Sequence, residues 1–149
     1  MSILSSPFYC KKRGTDWRVF CAGPIQGAPD WQHSMKHCDN ITWLSPRRED
    51  YADFSYKEQV EWEHDMMLSA DIILMWVPEE IEHVEGRSYA QTTRTEFGEY
   101  LARGKKIVFG CYSGFPGERY FQSKLSEYSM GTVHSSLEEC VKEVLKYIE

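Results

Sequence analysis

The chain alternates between short, mainly apolar runs and longer stretches in which apolar residues recur every three or four positions. The runs are WRVFCA (17–22), NITWL (40–44), DIILMWV (71–77) and KKIVFGC (105–111). A continuous apolar run of this length suits a strand of a parallel sheet covered on both faces. Residues 55–69 place Val60, Met67 and Leu68 at helical spacing, with Trp62 and Met66 alongside. Residues 93–104 read as a second helix and residues near 119–128 as a weaker one. Residues 137–149 form an amphipathic helix whose apolar face is Leu137, Val141, Val144, Leu145 and Ile148. Residues 30–38 read as a short helix capped by Asp30, with Trp31, Met35 and Cys38 near one face. GTVHS (131–135) reads as a short last strand.

Strands alternating with helices predict an α/β fold. The expected form is a five-stranded parallel sheet flanked by helices, in the flavodoxin-like order 2-1-3-4-5. No repeat, low-complexity tract or linker divides residues 1–149, so a single domain is expected. Open sheets of this kind bind ligands beyond the carboxyl ends of their strands. The residues to weigh therefore lie just after each run: 23–31, 45–54, 78–96 and 111–120.

Composition narrows the field. A net charge of −6 argues against a general nucleic-acid binder, which would carry a basic face. Five cysteines, Cys10, Cys21, Cys38, Cys111 and Cys140, form no CxxC pair and suit free thiols in a reducing compartment. The N-terminus has no long apolar core of a signal peptide, and no run approaches 18 apolar residues, so a cytoplasmic protein is expected.

The first crevice loop, AGPIQGAPDW, is neither G-x-G-x-x-G nor G-x-x-x-x-G-K-[ST], and Pro24 removes an N–H that a phosphate cradle would use. It reads either as a tight turn or as a floor for a flat ligand made by Gly23, Ile25 and Gln26. The next loop, SPRREDYADF, offers Arg47 and Arg48 for forked hydrogen bonds to an anion or carbonyl, or else a solvated pair balanced by Glu49 and Asp50. Tyr51, Phe54 and Tyr56 are placed to stack on a planar ring or to plug the edge of the core. His33 and His37 share an i, i+4 spacing, but no third metal ligand accompanies them. Glu96 falls near the start of a helix in the crevice, where the helix dipole favours a carboxylate. Gly98 beside it costs about 1 kcal/mol within a helix relative to alanine. A close approach by a ligand would account for that glycine.

The order AGPIQG, then W-E (62–63) followed by AD-I-I-L (70–74), then T-x-x-E-F-G (93–98) before G-K-K-I-V (104–108), resembles the nucleoside 2-deoxyribosyltransferase superfamily over residues 18–111. The resemblance implies an enzyme that cleaves the bond between a base and deoxyribose, with no metal and no cofactor. Glu96, in the triplet Glu96-Phe97-Gly98, would be the nucleophile, and Gly98 would let the sugar come close. Glu63 matches the family's second acid, where better-known members carry aspartate. Asp65 is its rival and a further candidate for ligand contact. The chemistry is the retaining double displacement of glycosidases, through a covalent glycosyl-glutamate. Transfer of deoxyribose to another base is the first reading. Hydrolysis of a nucleoside or its 5′-monophosphate is an alternative, with Arg47, Arg48, Arg94 and Arg119 as candidate phosphate partners. A non-catalytic binding module on the same fold is another. The expected partner is a small nucleoside or nucleotide, without nucleic acid or membrane. A homodimer or larger homo-oligomer is expected from the apolar surplus of Trp62, Met66 and Met67.

Overall fold

A computed structural model describes residues 3–5, 16–47 and 55–149. Cys10, Arg48, Tyr51 and Phe54 lie outside the described residues. The elements are β1 (Ile3–Ser5), β2 (Trp17–Ala22), β3 (Ile41–Ser45), α1 (Tyr56–Ser69), β4 (Ile72–Val77), α2 (Gln91–Ala102), β5 (Ile107–Cys111), α3 (Glu118–Glu127) and α4 (Leu137–Ile148).

The four long strands stand in the order β3-β2-β4-β5, all parallel, with β4 at the centre of the register: Val19 pairs Ile72, and Ile73 pairs Ile107. Counted from Trp17, this is the expected 2-1-3-4. The side chains of β4 divide between two cores, as alternation along a strand requires. Ile73, Met75 and Val77 pack with Trp62, Met66, Phe97 and Leu101 on the face covered by α1, α2 and α3. Ile72 and Leu74 pack with Trp31, Trp43, Cys140 and Val144 on the face covered by α4 and the segment after β2. Both faces are thus filled by helices, which is why the run DIILMWV carries no polar alternation.

The expected fifth strand at GTVHS is not formed. His134 makes one isolated bridge to Gly110, donating to Phe109 O at 2.9 Å and accepting from Cys111 N at 3.0 Å. Gly131 at φ 93° bends the chain on one side, and Ser136 caps α4 on the other, so too little extended backbone remains for a ladder. The three residues of β1 instead join the opposite edge, beside β3.

The helix expected over 30–38 is a single 3-10 turn, Gln32–Ser34. Asp30 does accept from His33 N at 3.2 Å, but Met35 is already extended at φ −62°, ψ 130°, as the chain turns to enter β3. Trp31 and Met35 are nevertheless buried.

Helix α1 starts where Ser55 accepts from Glu58 N at 3.1 Å, a capping arrangement that satisfies an orphan donor. Its buried stripe is Trp62, Met66 and Met67, whereas Val60 and Leu68, expected on the apolar face, are 46% and 41% exposed. The surplus that suggested self-association is therefore absorbed within the one chain. No helix among the described residues is long and apolar enough to cross a membrane.

Candidate functional site

A pocket of about 260 Å3 opens beyond the carboxyl ends of β2 and β4. Its floor is the loop after β2, with Gly23, Ile25 and Gln26. One wall is α1, through Tyr56, Val60 and Glu63, and the other is α2 and the loop before it, through Arg87, Ser88, Thr93 and Glu96. The sheet order creates this crevice, because the chain leaves β2 and β4 in different directions at their adjacent ends.

The glycine at 23 is required by the floor. A Cβ there would collide with the Trp76 carbonyl oxygen and come within 2.9 Å of the Trp31 ring. The two readings of this loop thus coincide, since the tight exit from β2 is also the pocket floor. The floor is tied to the opposite loop by Ile81 N donating to Gly27 O at 2.7 Å and by Arg87 Nη1 donating to Gln26 Oε1 at 2.8 Å.

Glu63 and Glu96 face this space from two different helices. Loss of water around Glu63 raises its pKa to about 7, against a lowering hydrogen bond with Gln59. Glu96 is pushed well above the ordinary carboxyl range, first by desolvation, then by the charges of Glu63 and Glu99. Among the described residues no hydrogen bond reaches the Glu96 carboxyl group. Two neighbouring carboxyls repel when both ionise, which together with their partial burial favours the protonated form of the pair.

This overturns the expected role of the helix dipole. Helix α2 begins at Gln91, not at residue 93, so Glu96 lies in its second turn, with no acid in the first. The dipole's influence fades beyond the terminal turn, and burial dominates. Ala90 starts the helix in a left-handed conformation, φ 61°, and supplies no side-chain cap.

Three expected site residues lie elsewhere. Arg47 does not line the pocket; it grips the chain itself. Its guanidinium donates to Gln32 Oε1 at 3.3 Å and to the carbonyls of Ile25, Ala28 and Pro29, and pairs with Asp30 at 3.3 Å. It therefore shapes the floor from behind. Asp65 is exposed and outside the pocket lining, two positions further round α1 than Glu63. Gly98 faces a separate groove shared with Tyr120, Phe121 and Lys124 of α3. A Cβ at Gly98 would meet nothing within 4 Å, so no neighbouring residue of the chain requires glycine there.

Arg94 and Arg119 are not at the pocket either. Arg94 stacks 4.2 Å from the Phe115 ring centre and donates to Pro116 O at 2.6 Å, while Arg119 is exposed. Among the described residues Arg87 is the one arginine or lysine that lines the pocket. Sequence reading missed it, together with Tyr89 and Thr93. The available signal was position, since all three precede or open α2 within the crevice stretch 78–96, but no motif there singled them out. His33 bonds Asp30 and His37 bonds Asp39, each at the surface. Among the described residues no group of three or more potential ligands could hold a metal ion.

A parallel sheet flanked by helices, with two acids lining a pocket at the carboxyl ends of its strands, defines the class: an α/β protein with an open crevice. Residues 16–115 match the family model described as nucleoside 2-deoxyribosyltransferase like. The chain belongs to that family. The match covers β2 to β5 and the whole pocket wall, including Glu63 and Glu96. No curated protein matches the chain significantly.

Two expectations follow. Gly98→Ala will raise stability in urea by roughly 0.5–1 kcal/mol, because alanine is the better helix former and the site is open. It will leave ligand binding in the pocket unchanged. Second, the raised pKa of Glu63 means that the folded state holds a proton that the unfolded chain has released. Its stabilising effect is complete below the ordinary value of 4.5 and is lost as pH rises through about 7. Glu63→Gln cannot ionise, so urea melts will show it gaining on the wild type between pH 5 and 8 by roughly 2–3 kcal/mol.

Proposed function

We propose that the protein cleaves the N-glycosidic bond of 2′-deoxynucleosides and transfers the deoxyribosyl group to another base. The observation that carries this reading is the pair of desolvated carboxyls, Glu63 and Glu96, on opposite walls of one pocket in a chain of this family. A retaining displacement needs one carboxylate and one carboxylic acid at the reacting centre, and a pair that holds one proton supplies both.

Glu96 is assigned the nucleophile. Its carboxylate oxygen forms a bond to the anomeric carbon as the bond to the base nitrogen breaks. The electron pair of that bond goes to the base, which takes a proton from Glu63. Positive charge developing on the sugar favours the ionised form of Glu96, so the proton of the pair settles on Glu63 when the substrate arrives. In the second half, an acceptor base loses its N–H proton to the Glu63 carboxylate and attacks the same carbon, releasing Glu96 and restoring the starting state. Attack by water instead gives the hydrolytic outcome. Gly23, Ile25 and Gln26 lie where a planar base would rest, and Tyr56, 86% exposed at the mouth, is placed to stack on it.

The test is incubation with deoxynucleosides, with and without a second base, followed by chromatography. Transfer to the second base is expected, and release of free deoxyribose alone would reassign the reaction to hydrolysis. Glu96→Gln will lose about 10³-fold or more in kcat while keeping its fold. Mass spectrometry with a slow substrate will find the sugar on the peptide containing Glu96. Glu63→Ala will harm turnover far more than Asp65→Ala, and the reverse order would reject the assignment of Glu63.

A homodimer belongs to the same reading, with Tyr56 and Val60 as the exposed apolar residues at the pocket mouth. Light scattering will give a mass at least twice the 17.5 kDa of one chain, and a mass near one chain rejects self-association.

A further inference from the structure

The two acids of the pocket belong to different helices, so something must set their spacing. Glu63 is on α1 and Glu96 on α2. The residue after Glu63 is His64, and one turn after Glu96 comes Tyr100. His64 Nδ1 and the Tyr100 hydroxyl lie 2.6 Å apart, a hydrogen bond that ties the two helices directly. The Tyr100 ring is buried at 2% exposure in the core beneath the pocket, so the hydroxyl has little freedom to move away. On the outer side Glu99 approaches the same Nδ1 at 3.7 Å and is itself held by Arg103 at 3.2 Å. A second tie closes the far end of the helix pair, where Lys105 Nζ donates to Leu68 O at 2.9 Å and Ala70 O at 2.6 Å.

We propose that Tyr100 and His64 are positioning residues, a brace between α1 and α2 that fixes the separation of the Glu63 and Glu96 carboxyls. The inference rests on the proposed reaction for its catalytic consequence, but not for its structural one. Burial, then the charges of Glu99 and Glu96, push the Tyr100 pKa up to about 12. The hydroxyl therefore keeps its proton, and a neutral phenol can donate to Nδ1 or accept from it, so the tie does not depend on which partner donates. Without the brace the helices part slightly, water enters around the carboxyls, and both ionise more readily.

The experiment compares wild type with Tyr100→Phe, His64→Ala and His64→Asn. Each protein is assayed for transfer, thermal midpoint and the titration of its glutamate carboxyls by carbon-13 NMR. Tyr100→Phe keeps the ring and loses only the hydroxyl. It will lower kcat about tenfold or more, with KM within about twofold. The Glu96 titration will move down toward the ordinary carboxyl range. His64→Ala will behave alike, while His64→Asn, which places an amide near the position of Nδ1, will recover most of the rate and the titration. An unchanged Glu96 titration in both Tyr100→Phe and His64→Ala overturns the brace. So does a rate that falls only in step with the thermal midpoint and is not rescued by His64→Asn. If the wild type transfers and hydrolyses nothing, the proposed reaction is rejected, and the carboxyl titrations alone then judge the brace.

Discussion

The burial of β4 on both faces is the constraint from which the rest of the structure follows. Six residues, Ile72–Val77, present side chains to two separate cores. Neither face tolerates water, so helices must cover both, and the parallel register demands that each connection cross over the sheet. The crossovers before and after β4 are α1 and α2 on the same face. That alone brings two helices with acidic residues side by side above the carboxyl ends of the central strands.

The site is an electrostatic consequence of this packing. Trp62, Met66 and Phe97 anchor the inner sides of α1 and α2, and the glutamates at 63 and 96 are drawn to the boundary between core and pocket. Their charges are costly there, and the cost appears as raised pKa values. A fold that only needed stability would place neutral side chains at both positions. In the proposed reaction that cost is offset by a pair of groups of which one can hold a proton while the other is ionised.

Around the pair, polar residues serve the frame. Arg47 binds three backbone carbonyls of the floor, and Asp71 accepts from Arg18 N at 2.8 Å where β2 and β4 begin to pair. Arg94 is held over Phe115. Arg47 and Arg94 were expected as ligand contacts, and both are instead engaged within the chain. In a protein of this size most buried cations are engaged in this way, because an unpaired one would be costly.

The sequence by itself determined the α/β class, the order of the four main strands and the crevice as the place to look. Apolar periodicity is a local property, and strand burial, helix spacing and loop position can be read from it. Loop position singled out Gly23, Ile25 and Gln26, and the family resemblance singled out Glu63 and Glu96; all five line one pocket. Only the tertiary structure decided the facing of residues on a helix. A shift of one position rotates a side chain by about 100°, which is why Val60 and Leu68 lie outside, Asp65 misses the pocket and Gly98 opens onto the other groove. The fate of GTVHS depended on how much extended chain Gly131 and the α4 cap leave between them. The ionisation of the two acids rested on their depth and on each other, quantities that exist only once α1 and α2 are packed together.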